Sequence, residues 1–250
     1  MRLFGLIGYP LEHAFSGKYF ADKFEQEGIN DCEYRLFPLP RIEEMTSLLI
    51  QYPNLEGLNV TIPYKEAVKN YLHTMDGEAF EVGAVNTIKI YPQGKDRHLK
   101  GFNTDIHGFR ESLMPLLNPA HEKALILGSG GASLAVKHVL EKLGISYWIV
   151  SRKPGADRIT YENLDAQLIS ECKLIINTTP IGMYPDVQNC PPIPYEGIGN
   201  SHLLYDLVYN PATTTFLREG KERGATIKNG LEMLEQQAEK SWEIWNNPGL

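Results

Sequence analysis

The 250-residue sequence predicts an α/β protein built as two units, and two observations carry that expectation. Through the first hundred residues, short apolar runs alternate with amphipathic stretches. Beyond residue 105, the fully apolar Ala124-Leu125-Ile126-Leu127 passes straight into Gly128-Ser129-Gly130-Gly131-Ala132 and then a helical pattern. Strands alternating with helices imply an α/β sheet, mostly parallel. The length is enough to bury one large core or two smaller ones.

In the first unit, residues 3–8 read as a buried strand ending at glycine. Residues 17–27 carry Tyr19, Phe20 and Phe24 at helical spacing and stop at Gly28. Residues 34–37 form a second strand, 42–50 a second helix, and 57–61 a third strand stopped by Pro63. In the second unit, the strand at 124–127 is followed by a helix to about residue 143, closed by Gly144, and a strand at 147–150. Further strands are expected at 174–176 and 203–207. Residues 231–245 are a long helical pattern with Leu231, Leu234, Ala238 and Trp242 on one face.

Composition narrows the function. A 42% hydrophobic and 22% charged chain is ordinary for a globular protein and too apolar for extensive disorder. A formal charge of -7 opposes general binding to nucleic acid, which needs a basic face, yet leaves room for a few local cations around a phosphate. Cys32, Cys172 and Cys190 lie far apart with no zinc-like spacing, as suits three ordinary thiols in a reducing cytoplasm. The apolar stretch at 3–8 is broken by Pro10 and Glu12, too short for a signal sequence, and no segment approaches membrane-spanning length. The expected protein is cytoplasmic and soluble, without nucleic-acid or membrane partners.

Strand, glycine turn and helix, in that order, give a dinucleotide fingerprint its meaning. Gly128 allows the tight turn and Gly130 lets the backbone approach a pyrophosphate. The helix from Gly131 points free N–H groups and its positive dipole end at the anion. Ser133 replaces the third glycine or alanine of the fingerprint and is still small enough for close packing. Standing alone, such a pattern is also an ordinary βα turn. The end of the second strand discriminates better: about 20 residues past the first glycine, an NAD site carries Asp or Glu on the ribose hydroxyl. Here Ser151-Arg152-Lys153 stands there, and no acid follows before Asp157. Two cations and a hydroxyl suit a 2′-phosphate, and Arg152 can also lie on the adenine; the alternative is a solvated basic turn. The expected cofactor is NADP, held by Gly128, Ser129, Gly130, Gly131, Ala132, Ser151, Arg152 and Lys153.

Three segments of the first unit set reactive side chains among prolines, glycines and asparagines: Asn59-Val60-Thr61-Ile62-Pro63-Tyr64-Lys65, Gly83-Ala84-Val85-Asn86-Thr87 and Gly101-Phe102-Asn103-Thr104-Asp105. Read alone, Lys65 is a surface lysine and Asp105 a helix N-cap. Together with Gly8-Tyr9-Pro10, His13 and Ser16, with Asn177-Thr178-Thr179-Pro180-Ile181-Gly182-Met183, with Tyr205-Asp206-Leu207-Val208-Tyr209-Asn210-Pro211, and with the stretch from Asn229-Gly230-Leu231 to Gln237-Ala238, they resemble the shikimate dehydrogenase family nearly end to end.

The resemblance implies an N-terminal α/β substrate domain at 1–104, completed by the C-terminal helix 231–250, and a Rossmann-like NADP-binding domain at 105–230, separated by a cleft. It implies NADP-dependent interconversion of 3-dehydroshikimate and shikimate, a step toward chorismate and the aromatic amino acids, by a monomer or homodimer. Lys65 would be the general acid/base, with Asp105 its partner on the adjacent hydroxyl. Thr61, Asn86 and Gln237 would hold the remaining hydroxyls, and Ser16 and Tyr209 the carboxylate. Thr178, Leu207 and Gly230 would join the cofactor site. No metal is required, and His13 is expected to be structural.

The chain departs from the family pattern at Ala14, where a serine is usual, and at Gly17, where many members have proline. One hydroxyl expected on the substrate carboxylate is therefore missing. A quinate or other polyhydroxy-acid dehydrogenase on the same scaffold is the alternative enzyme. A catalytically idle NADP-binding or ligand-sensing module is the alternative outside the enzymes.

Overall fold

The structure is a computed structural model and describes residues 1–12, 14–93 and 96–250. The chain divides into two compact units, one made of Met1–Thr104 with Gln237–Leu250 and the other of Asp105–Gln236.

In the first unit β1 (Arg2–Gly8), α1 (Phe15–Gln26), β2 (Cys32–Pro38), α2 (Glu44–Gln51) and β3 (Leu55–Val60) alternate as the hydrophobic pattern requires. They are followed by β4 (Thr74–Met75), α3 (Gly77–Val82), β5 (Thr87–Gln93) and β6 (Asp96–Phe102). The strand order is β2-β1-β3-β5-β6-β4. β1 runs parallel to β2 and β3, whereas β5 is antiparallel to both β3 and β6. β4 runs parallel to β6, so among the described strands β5 alone opposes the other five, and the sheet is mostly parallel, as expected, with one antiparallel strand. Only two residues of sequence separate β5 from β6, and a parallel return needs a crossover of about a dozen residues or more.

β1 shows how the sheet is covered. Leu3 and Ile7 belong to a core cluster shared with Met45 and Leu48 of α2, while Phe4 belongs to a second cluster with Phe20, Phe24 and Trp245. The alternation of side chains along a strand sends these two sets to opposite faces.

The second unit contains α4 (Thr104–Leu113, divided from the first unit after its first residue), β7 (Lys123–Leu127), α5 (Gly131–Lys142), β8 (Ser146–Ser151) and β9 (Arg158–Thr160). It continues through α6 (Ala166–Glu171), β10 (Leu174–Asn177), β11 (Leu203–Asp206), α7 (Thr215–Glu222) and β12 (Thr226–Lys228). Every strand pair is parallel, in the order β12-β11-β10-β7-β8-β9. Counted from β7, this is the doubly wound order 3-2-1-4-5-6 of a Rossmann fold, with its switch point between β7 and β10. The last helix, α8 (Leu231–Asn246), is the one the periodicity indicates, and the division between units falls inside it, after Gln236.

Candidate functional site

Hydrogen bonds draw the three reactive segments of the first unit together. β3 meets the second segment where Val60 N–H donates to the Asn86 carbonyl at 2.8 Å. The turn carrying Lys65 is tied to it by Val85 N–H donating to the Lys65 carbonyl at 2.8 Å. The third segment joins through Asn103 Nδ2 donating to the Ala84 carbonyl at 3.0 Å and Asn86 N–H donating to the Phe102 carbonyl at 3.1 Å. Lys65 is half-buried. Thr61 is held by its N–H on the Ile7 carbonyl at 2.9 Å, and Tyr9 N–H donates to the Ile62 carbonyl at 3.1 Å, which brings the Gly8-Tyr9-Pro10 loop to the same place.

Asn86 and Gln237 are both buried. The Asn86 side-chain oxygen accepts from Thr104 N–H at 2.6 Å, and its Nδ2 donates to Thr104 Oγ1 at 3.0 Å and, more weakly, to Gln237 Oε1 at 3.4 Å. Gln237 reaches this position from α8, so the C-terminal helix completes a site begun by β3 and β5. Ser16 lies in the first turn of α1, and its hydroxyl bonds that of Tyr34, whose own proton goes to Asn59 Oδ1 at 2.8 Å. Burial pushes the Tyr34 phenol far above its ordinary range, against the opposing effect of the Ser16 hydrogen bond. Ala14 is the N-cap residue of α1 and supplies no side-chain cap. His13 lies outside the described residues.

Asp105 is buried, and it lies inside the first turn of α4 where an N-cap was expected, because the helix already begins at Thr104. A carboxylate in a first turn faces the positive end of the helix dipole. Tyr209, in the same unit, is half-buried, and that burial raises its phenol pKa.

The glycine-rich turn follows β7 at the switch point. Gly128 has φ +111°, a left-handed conformation closed to other residues, and a Cβ there would meet Thr178 Oγ1 at 2.7 Å. At Gly130 and Gly131, by contrast, nothing lies within 4 Å of an added Cβ, so this face of the turn is open. A cavity of about 420 Å³ is lined by Gly128, Ser129 and Gly130 with Thr178 and Ile181 across the switch point. It shares Ser129, Ser151 and Arg152 with a second cavity of about 410 Å³ whose remaining lining is Lys153 and Arg158. Ala132 lies in the first turn of α5, whose N-cap is Gly130 with no side-chain cap; Ser133 N–H turns back to the Gly130 carbonyl at 2.9 Å, which leaves the N–H groups of Gly131 and Ala132 for an anion. An open glycine cradle at a helix N-terminus beside three cations fits a dinucleotide with a 2′-phosphate.

Some expected ligands also have local work. Ser151 Oγ donates to the Lys153 carbonyl at 2.5 Å and so shapes the basic turn. Thr178 Oγ1 donates to the Leu127 carbonyl at 2.8 Å, joining the ends of β10 and β7. An added Cβ at Gly230 would meet the Leu207 carbonyl oxygen at 2.1 Å, so glycine is needed there for close approach of two backbones. Asp206 is fully buried and accepts from Asn177 Nδ2, Val208 N–H and Thr214 Oγ1; burial pushes its carboxyl up to about 6, with those hydrogen bonds opposing the shift.

Sequence reasoning missed Arg158 and Tyr161. Arg158 belongs to the short β9, paired with β8 so that Ile149 faces Arg158, and it ion-pairs with Asp157 at 3.3 Å. Tyr161 lines the glycine-turn cavity near Arg152, whose charge partly offsets the upward effect of burial on the phenol. Among the described residues, no group of three or more His, Cys, Asp or Glu could hold a metal ion, and no helix is long and apolar enough to cross a membrane.

The family model for the shikimate dehydrogenase substrate binding domain matches residues 6–88. Over 257 residues the chain is 39% identical to the NADP(+) shikimate dehydrogenase of Clostridium beijerinckii, covering 98% of this chain and 92% of that one. The crystal structure of shikimate dehydrogenase from Aquifex aeolicus superimposes with a TM-score of 0.86 at 30% identity, covering 98% and 92% of the two chains. That of Thermus thermophilus shikimate 5-dehydrogenase, in complex with NADP(H) and shikimate, does so with a TM-score of 0.85 at 32% identity, covering 100% and 94%. Identity sustained over almost the whole of both sequences, on a shared fold, places this chain in the shikimate dehydrogenase family.

Proposed function

We propose that this chain reversibly reduces 3-dehydroshikimate to shikimate with NADPH. The observation that carries the reading is the convergence of Lys65, Thr61, Asn86 and Gln237 in the unit made of Met1–Thr104 and Gln237–Leu250.

Lys65 is the general acid/base. As a ketone is reduced, negative charge grows on its oxygen; the Lys65 ammonium stabilises that charge and delivers the proton, and in the reverse direction the neutral amine takes it back. Asn86, Thr61 and Gln237 orient the ring hydroxyls, Asp105 takes the hydroxyl adjacent to the reacting carbon, and Ser16 and Tyr209 receive the carboxylate. The long Asn86–Gln237 contact, 3.4 Å, is the one a substrate hydroxyl most readily replaces. When bound, NADPH supplies the hydride. Gly128, Ser129, Gly130, Gly131 and Ala132 receive its pyrophosphate, with Thr178, Leu207 and Gly230 shaping the rest of that site. Arg152 and Lys153 read the 2′-phosphate, Arg158 adds a third cation, and Ser151 braces their turn. The cytoplasm, where thiols stay reduced, suits free Cys32, Cys172 and Cys190.

Initial rates with shikimate and with quinate, each with NADP and with NAD, test the reading. Shikimate with NADP is expected to have the highest kcat/KM. A preference for quinate would replace the substrate assignment, and no turnover in any combination would leave a binding module.

A further inference from the structure

Behind Asn86 and Gln237 lies a buried cluster of hydroxyls and one amide that the proposed chemistry does not use. Thr87 and Ser241 are fully buried, and Asn59 and Thr104 nearly so. Thr87 Oγ1 and Ser241 Oγ lie 2.8 Å apart, and each is 3.2 Å from Thr104 Oγ1. Asn59 Nδ2 donates to Ser241 Oγ at 3.0 Å and to Thr87 Oγ1 at 3.2 Å. Ser241 Oγ donates to the Gln237 carbonyl one turn back, at 2.8 Å.

The protons can be followed. Ser241 has one proton, committed to Gln237, so toward Thr87 and Asn59 its oxygen only accepts. Thr87 therefore gives its proton to Ser241. That keeps Thr87 from competing for Asn86 Oδ1, 3.3 Å away, which stays on Thr104 N–H. Thr104 is left to direct its own proton toward Asn86 Oδ1 at 3.2 Å or Gln237 Oε1 at 3.4 Å. At the far end, Asn59 Oδ1 is filled by Tyr34, which in turn contacts Ser16.

We infer that Thr87 and Ser241 are positioning residues: their hydroxyl pair fixes the amide orientations of Asn86 and Gln237, and through them the affinity for the substrate's hydroxyls. The inference rests on the reading of Asn86 and Gln237 as substrate residues. Without the Ser241 hydroxyl, the Thr87 proton turns to Asn86 Oδ1 or Thr104. Without the Thr87 hydroxyl, Ser241 draws its donor from Thr104, away from Gln237. Either change disturbs the pair without removing it.

Four variants decide the matter: Thr87→Val, which keeps the shape and loses the hydroxyl; Thr87→Ser, which keeps the hydroxyl and loses a methyl; Ser241→Ala; and Asn86→Ala. Each is assayed for the KM of shikimate and of NADP, kcat and Tm. Thr87→Val and Ser241→Ala are expected to raise the shikimate KM by roughly five- to thirty-fold, with kcat within about threefold and the NADP KM unchanged, because the contacts they support serve ground and transition states alike. Thr87→Ser should stay within about twofold of the wild-type KM whatever its Tm. If Asn86→Ala raises the KM while Thr87→Val and Ser241→Ala lower only Tm, the positioning role is overturned and the substrate reading survives. Equal KM increases in Thr87→Val and Thr87→Ser assign the effect to packing and likewise overturn it. An unchanged KM in Asn86→Ala removes the substrate reading and the positioning role with it.

Discussion

Lys65 shows why single residues of this site are legible only in company. A lysine following a proline turn is ordinarily a solvated side chain; here its backbone is tied to Val85, one residue before buried Asn86. Replacing Lys65 by alanine should lower kcat by about 10²–10⁴-fold, the range for losing a general acid/base, and leave NADP binding almost untouched. A folded variant that keeps more than about a tenth of the wild-type kcat would remove Lys65 from that role. Arg152 was legible because no acid occupies the ribose-reading position. Arg158 was not, since five residues and the Ala156-Asp157 turn separate it from Arg152, and only the β8–β9 pairing brings it to the same cavity. A charge-assisted contact contributes ~1.5–3 kcal/mol, so Arg152→Ala should weaken NADP roughly ten- to a hundred-fold more than NAD. Equal losses, measured as kcat/KM for each cofactor, would assign Arg152 to the adenine or to the fold.

Among the elements, α1 is the one whose start was expected, from the family resemblance, to carry a serine. Its N-cap is Ala14, so Ala14→Ser can do two things: cap the helix, and offer a hydroxyl to the substrate carboxylate. Capping by serine in place of alanine contributes about 0.5–2 kcal/mol, which a rise in Tm would register. If the hydroxyl also reaches the carboxylate, the shikimate KM should fall something like three- to thirty-fold at nearly constant kcat. A higher Tm with an unchanged KM would mean that the hydroxyl serves the helix alone and that Ala14 does not weaken shikimate binding.

Asp206, at the end of β11, ties the loop after β10 to its own through Asn177. Its carboxyl lies at about 6 against an ordinary 3.8, so the folded state holds this proton more tightly than the unfolded one. The group therefore contributes stability below about pH 4 that is lost as pH rises through about 6. Asp206→Asn mimics the protonated form. Denaturant unfolding at several pH values should show the wild type losing about 2–3 kcal/mol relative to that variant between about pH 4 and pH 7. A gap that does not change with pH would show that the hydrogen bonds cancel the effect of burial.

At the scale of the molecule, the two sheets were not equally readable. The all-parallel sheet is written in runs such as Leu125-Ile126-Leu127 and Leu174-Ile175-Ile176, apolar throughout because both faces are covered. The sheet of the first unit hides its antiparallel strand, β5. β5 and β6 interleave Lys89, Tyr91, His98 and Lys100 with their apolar residues, and Lys89 is itself buried, donating to the Ile244 carbonyl at the end of α8. The hydroxyls of Thr87 and Ser241 escaped for a related reason: single polar residues in a strand and a helix look like solvent-facing positions until the fold sets them together. The basic trio Arg152, Lys153 and Arg158 sits in a chain of net charge -7, which is why overall charge said little about the cofactor.

Hydride transfer between shikimate and NADP is the activity proposed for this chain. It is tested most directly with shikimate deuterated at the carbon bearing the hydroxyl to be oxidised, incubated with the protein and NADP. The expected result is reduced cofactor carrying one deuterium for each 3-dehydroshikimate formed. Reduced cofactor without deuterium, or no reduced cofactor at all, would contradict the account.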